Sequence, residues 1–337
     1  MVVFYVVFFS VVFFNFEAMS IPDDRRKLVV GLGEVLWDVY PDRALFGGAP
    51  ANFAIHASYL GADARIVSAV GTDSLGDDAL RWLADNRQSA ETILIDSEHP
   101  TGNVQVLLDA RACPTYHFAS DVAWDYLAFP QHYFEIASRC DAVCFGSLAQ
   151  RTVMSATAIG RFLDATDPSA LRVFDVNLRQ DFYSRDVLHN SLQRANILKL
   201  NHDELPVVLE TLQLPWSSKH TSMSNGGANA VDLQLAMKEY QSGCARLIDR
   251  YEVRTLALTL GAMGSMVYHL GEWDCQPSLP VQAVDTVGAG DAFSASLVMG
   301  LLHGEPLAKI HKRASQIAAF VCTQRGAVPL PPESLRS

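Results

Sequence analysis

The run Val284-Asp285-Thr286-Val287-Gly288-Ala289-Gly290-Asp291-Ala292-Phe293 joins an apolar extended stretch to a helical pattern, with two glycines and an acid in the turn between them. Glycines leave backbone N–H groups open to an anion. A helix starting near Gly290 would aim those groups and the positive end of its dipole at one point. Asp291 would stand beside that point. This combination suits removal of a proton from a hydroxyl while charge on a phosphoryl group is stabilised. The same residues also suit an ordinary glycine turn in which Asp291 only starts a helix, a position Asp favours.

Three further stretches carry chemistry-bearing residues. Gly47-Gly48-Ala49-Pro50-Ala51-Asn52 exposes backbone donors, and Asn52 offers both a donor and an acceptor to a polyol. A tight turn and helix start explains its glycines but not Asn52. Asp175-Val176-Asn177-Leu178-Arg179 follows an apolar run, and Arg179 could bridge a phosphate or a substrate oxygen. Asn201-His202-Asp203-Glu204 places Asn and Glu three apart at a helix start, where they cap the helix or order the water shell of Mg²⁺. Asp38, in Glu34-Val35-Leu36-Trp37-Asp38, is a loop acid or an acceptor for ligand hydroxyls. Gly31-Leu32-Gly33 has leucine at position 36, where a dinucleotide fingerprint needs a third glycine. No Gly-x-x-x-x-Gly-Lys-Ser/Thr run occurs.

The elements that must position these residues read as strand, helix, strand. Strands are expected at Lys27–Leu32, Arg65–Val70, Ala142–Phe145, Leu171–Val176, Asn196–Leu200, Thr255–Leu260 and Met266–His269. Helices are expected at Ala51–Leu60, Asp77–Asp85, Met154–Asp164, Glu204–Leu212, Val231–Tyr251, Ala292–Leu302 and Leu307–Cys322. This alternation implies a mostly parallel sheet covered on both faces. Thr92–Ile95 and Val104–Leu108, separated by His99, Pro100 and Gly102, read as paired antiparallel strands, with Thr115–Phe118 extending a small sheet. Residues 216–229 are Ser/Gly/Asn-rich and read as a mobile surface loop.

The 337 residues suffice for one large α/β domain, and 49% are apolar. A formal net charge of −11 argues against nucleic acid or an anionic membrane surface as the main partner. The six cysteines form no Cys-x-x-Cys pair, which suits free thiols in a reducing, cytoplasmic setting. The histidines lack zinc spacing. Residues 1–16 are almost wholly apolar, short for a membrane span and without a secretory cleavage pattern. They are expected to be a misplaced start or a dispensable extension, with function beginning near Met19; a membrane anchor is the other reading.

Taken in order, Gly47-Gly48 with Asn52, Asn201-x-x-Glu204, Thr259-Leu260-Gly261-x-x-Gly264 and Asp285-Thr286-x-Gly288-Ala289-Gly290-Asp291 resemble the ribokinase/PfkB carbohydrate kinases. The resemblance spans roughly Lys27 to Pro329. Gly33 to Asp38, Gly47 to Asn52 and Ala123-Trp124-Asp125 look most like the fructokinase-type branch. It implies a ribokinase-like three-layer α/β/α fold over residues 19–337, with a mostly parallel central sheet. A small β-sheet lid would be drawn from about 35–48 and 100–120. It further implies Asp291 as general base and Gly288, Ala289 and Gly290 as the anion hole. Asp38, Gly47, Gly48 and Asn52 would hold a small sugar, with Arg179 near its oxygens. Asn201, Thr259, Gly261 and Gly264 would lie along ATP, and Asn201 and Glu204 would support its Mg²⁺ indirectly. K⁺ would be held by carbonyls of Val287, Val321 and Gly326 with Asp285. The implied activity is phosphoryl transfer from ATP to a sugar, fructose first, with ribose, a nucleoside or another sugar as alternatives. The stretch Phe46–His56 has no Lys or Arg to grip a second phosphate, although Arg43 is near. A catalytically silent sugar-binding relative is the competing reading, which the retained acid and glycines disfavour. A lid with an exposed apolar face would favour a homodimer.

Overall fold

Strands and helices alternate along the chain and pack as three layers in the computed structural model, which describes residues 25–108, 114–216 and 230–336. The apolar N-terminal run and residues 217–229 lie outside the described residues. The chain forms β1 (Leu28–Leu32), β2 (Leu36–Val39), β3 (Ala44–Gly47), α1 (Ala49–Tyr59), β4 (Asp63–Gly71), α2 (Ser74–Asp85) and β5 (Ile93–Asp96). Then come β6 (Gly102–Leu108), β7 (Pro114–Phe118), α3 (Gln131–Arg139), β8 (Ala142–Gly146), α4 (Val153–Asp164), β9 (Leu171–Asp175) and α5 (Arg185–Arg194). β10 (Ile197–Asn201), α6 (Glu204–Thr211), α7 (Ala230–Tyr251), β11 (Thr255–Thr259), β12 (Gly264–His269) and β13 (Glu272–Pro277) follow. The chain closes with α8 (Ala289–Leu302), α9 (Leu307–Cys322) and α10 (Glu333–Arg336).

The large sheet runs β13-β12-β11-β10-β9-β8-β1-β4-β5. It is parallel from β5 to β11, and β12 and β13 turn back as antiparallel edge strands. Its parallel strands are apolar on both faces because helices cover both. Val29, Val173 and Ile197 meet α1 and α8 through Phe53, Ala57, Ala295 and Val298. Val30, Phe174 and Leu198 face the opposite way, into a cluster with Phe162, Leu188, Leu205 and Leu247 of α4 to α7. Strand order reverses between β1 and β8, so a crevice opens beyond the carboxyl ends of the central strands. No helix of the described residues is long and apolar enough to cross a membrane.

A small four-stranded sheet, ordered β3-β2-β6-β7, stands over that crevice. Trp37 and Phe46 root it in the body: the Trp37 indole donates to Leu75 O at 2.9 Å, and the Phe46 ring stacks on Trp82 at 4.3 Å. At the other end Gln180 Nε2 donates to Tyr116 O at 2.8 Å, and Phe118 meets Phe182 edge-on. Buried Arg151 fastens the exit from this sheet. It bonds Asp125 at 2.7 and 2.6 Å and Ala119 O at 2.6 Å, with its guanidinium over the rings of Trp124 and Phe182.

One expectation is corrected. β5 and β6 do not pair: β5 lies parallel to β4 in the large sheet, while β6 lies between β2 and β7. Thr101 accounts for the parting. Its N–H and hydroxyl bond the Asp73 carboxylate at 2.8 and 2.7 Å, and its Oγ1 accepts from Gly71 N at 2.9 Å. That clamp bends the chain where a hairpin would have formed. The sequence reading also passed over α3, α5 and β13.

A second polar feature ties α9 to the sheet edge. Ser265 Oγ lies 2.7 Å from His311 Nε2, and His311 Nδ1 lies 2.7 Å from Asp274 Oδ2. His311 is fully buried and Ser265 is 4% exposed.

Candidate active site

Helices α1 and α8 begin side by side at the crevice. Gly48, with φ of 115°, precedes α1, and a Cβ there would lie 2.3 Å from Glu34 O. Gly288, with φ of 79°, precedes α8, and a Cβ there would lie 2.1 Å from Ala327 O. Only glycine meets both demands at either position. Ala289 N reaches Thr286 O at a long 3.4 Å. The N–H groups of Gly290 and Asp291 have no backbone acceptor among the described residues, as the first turn of a helix leaves them.

Asp291 Oδ2 accepts a 2.9 Å hydrogen bond from Asn52 Nδ2. The acid keeps some accessible surface, yet protein atoms strip much of its hydration. That desolvation, with the repulsion of Asp175, outweighs Lys199, Asn52 and Arg179 and raises its pKa to about 6. Glu34 is 2% exposed and is pushed to about 7, mainly by burial. Its Oε1 accepts from Ala49 N at 3.2 Å. Glu34 Oε2 and Asn52 Oδ1 are buried acceptors without a partner among the described residues. On β2, half-buried Asp38 is raised to about 6, again mainly by burial. Gly47 lets the β3 backbone approach it, since a Cβ there would sit 3.2 Å from Asp38 Oδ2. Arg179 is exposed, bonds its neighbour's carbonyl, Leu178 O, and its charge lowers the pKa of Glu34, Asp38 and Asp291 alike. The structure thus brings Asp38, Gly47, Gly48, Asn52, Arg179 and Gly288 into the neighbourhood of Asp291.

The other candidates lie at the ends of β10 and β11, where Asn201 and Thr259 are register neighbours. Asn201 Oδ1 accepts from Asp203 N and Glu204 N, both at 2.9 Å. Glu204 Oε2 accepts from Asn201 N at 2.8 Å, and its Oε1 from Leu178 N at 3.0 Å. This is a reciprocal cap on α6. Gly261 turns with φ of 58°, while Gly264 is required by β13, because a Cβ there would lie 2.1 Å from Gln276 O. Asp285 accepts from Val287 N at 3.0 Å and Gly326 N at 3.1 Å, drawing those turns together beside the end of α9. Val321 O, at that end, accepts from Gln324 N at 3.0 Å.

Residues 42–333 match the model of the pfkB family carbohydrate kinases. The chain belongs to this family. It is a sugar kinase, a phosphotransferase with an alcohol as acceptor. A fructokinase from Klebsiella pneumoniae is 30% identical over 315 residues, covering 88% of this chain and 94% of that protein. The solved structure of a sugar kinase from Pyrococcus horikoshii in complex with ATP superposes with a TM-score of 0.70 at 27% identity, covering 89% of this chain and 93% of its own. A Vibrio cholerae fructokinase structure with fructose, ADP and calcium has a TM-score of 0.71 at 22% identity, over 92% and 97% of the two chains, and so speaks to the fold.

The sequence reading did not single out Glu34, Asp175 and Lys199, which the structure brings close to Asp291. Lys199 is 8% exposed and bonds Asp175 at 3.0 Å. Burial opposes its charge, but Asp175, Glu204 and Asp291 together hold its pKa above the ordinary lysine value. The available signal was a lysine flanked by Leu198 and Leu200 in a strand buried on both faces. His56, also missed, lies 3.0 Å from Ala327 O through Nε2, which must therefore donate. Burial lowers its pKa to about 4, so it stays neutral.

Proposed function

We propose that this pfkB-family kinase moves the γ-phosphoryl of ATP to a hydroxyl of a small unphosphorylated sugar, fructose first, with Asp291 as general base. The carrying observation is the Asp291 carboxylate, held by Asn52 in the first turn of α8 with its pKa lifted to about 6. A base with that pKa is ionised at neutral pH and still binds a proton well. The acceptor hydroxyl lies between Asp291 and the turn formed by Gly288, Ala289 and Gly290, where the weakly engaged Ala289 N–H, the Gly290 N–H and the helix dipole favour the transferring group's charge. Asp38, Asn52 Oδ1 and the backbone at Gly47 and Gly48 receive the remaining hydroxyls. Asn52 Oδ1 and Glu34 Oε2, buried acceptors without a partner among the described residues, suit a ligand rich in O–H donors. Arg179 meets the anionic oxygens. ATP extends along Asn201, Thr259, Gly261 and Gly264.

Mg²⁺ bound with ATP supplies charge compensation on the phosphates. Both Glu204 oxygens are engaged by backbone N–H groups, so Asn201 and Glu204 fit a role through its water shell. By the resemblance alone, carbonyls of Val287, Val321 and Gly326, with Asp285, would hold a K⁺ beside the anion hole; both Asp285 oxygens already accept backbone N–H groups. Use of ATP is consistent with a cytoplasmic setting.

Fructose is favoured by the Klebsiella fructokinase at 30% identity. Incubation with ATP, Mg²⁺, K⁺ and a panel of sugars, with ADP release measured, tests the reading. Fructose should give the largest kcat/KM. No sugar-dependent ADP release above background would overturn the assignment and favour a binding protein.

A further inference from the structure

β9 and β10 turn alternate residues toward α8. Val173 and Ile197 do so within an apolar cluster that includes Ala295 and Val298. Two residues further along each strand the same face carries Asp175 and Lys199, themselves register neighbours. Both are buried, at 3% and 8% exposure, and their charged atoms lie 3.0 Å apart. Asp175 Oδ2 also lies 3.5 Å from the Ser294 hydroxyl on α8. Lys199 Nζ reaches the start of that helix, since a Cβ on Gly290 would sit only 2.8 Å from it. A largely dehydrated ammonium therefore lies under the first turn of α8, one residue from Asp291.

Burying such a pair contributes little net stability, because desolvation offsets the attraction. Two apolar side chains would complete this face of the core as well. The placement of the pair suits the neighbouring acid instead. We propose that Lys199 is a positioning residue for phosphoryl transfer: from beneath Gly290 its ammonium holds Asp291 as the carboxylate against the repulsion of Asp175. The proposal rests on Asp291 acting as base. The groups facing Asp291 are Glu34 after β1, Asn52 on α1, the Cys144 thiol on β8, Asp175 on β9, Arg179 beyond it and Lys199 on β10. Of the two cations, Arg179 is exposed and screened by salt, whereas Lys199 acts through a dry interior.

The test is the pH dependence of kcat and kcat/KM for wild type, Lys199→Met, Asp175→Asn and Asp291→Asn, with thermal melts of each. Lys199→Met should move the acid limb up by about one pH unit or more, and lower kcat at neutral pH with the sugar KM little changed. Asp175→Asn should move the same limb down. Opposite displacements are the signature, since a purely structural pair would lower both melting temperatures and leave the limb in place. Limbs that stay fixed or move together overturn the proposal. If Lys199→Met does not fold, Asp175→Asn decides alone: a lowered limb supports the proposal and an unmoved one refutes it. An Asp291→Asn enzyme that keeps its rate removes the base assignment and this inference together. An inactive Asp291→Asn with unmoved limbs in the other two variants removes only the role of Lys199.

Discussion

Two polar clusters flank α8 and α9, and they differ in what they leave unfinished. Ser265, His311 and Asp274 join in series through residue types that serve nucleophilic catalysis elsewhere. Yet both imidazole nitrogens are occupied and the serine is sealed between β12 and α9. Around Asp291 the polar groups are incompletely satisfied: Glu34 Oε2 and Asn52 Oδ1 lack donors among the described residues, and burial lifts Glu34 and Asp291 to about 7 and 6. Composition alone would favour the first cluster. Unsatisfied acceptors beside an acid that keeps some accessible surface favour the second.

The contrast is most open to attack at Asp291. Asp291→Asn should lower kcat by about 10²–10⁴. Its melting temperature should hold or rise, because the amide removes a desolvated charge. ADP release and a thermal melt measure both, and wild-type turnover would erase the distinction between the clusters. Next comes Gly290→Ala. Its methyl would meet Lys199 Nζ and displace the helix start, so kcat should drop about tenfold to a hundredfold, more than KM changes. An unaffected rate would show that the first turn tolerates movement.

The fold was readable because apolar strands alternate with helical patterns, and because Gly48, Gly288 and Asp291 stand in short runs whose spacing has a local cause. Glu34, Asp175 and Lys199 were not readable as a group. Each is a single charge in an apolar setting, and their meeting depends on which strands are neighbours. The course of β6 was hidden for a similar reason, since the clamp on Thr101 comes from Asp73, outside the local pattern. His311 reaches Ser265 and Asp274 across three elements, with no spacing to reveal it.

A finer test lies in pH. Asp291 takes up a proton as pH falls through about 6, and the protonated acid cannot accept another. kcat/KM should therefore decline about tenfold per unit below that midpoint. A flat profile from pH 7 to 5 would contradict a base with this environment. The smallest expected effect belongs to the sealed cluster. Ser265→Ala should leave kcat unchanged and cost about 1 kcal/mol of stability as His311 loses a partner. A slowed reaction would mean that the edge of the sheet reaches the chemistry after all.

The hydrogen bond from Gln180 to Tyr116 O joins the small sheet to the very segment that bears Arg179. Phe118 and Phe182 reinforce the joint. A roof strapped to its neighbour in this way cannot tilt alone: any stroke of the sheet hauls the adjacent guanidinium with it. Enclosing the acceptor and changing the local charge thus become one coupled displacement.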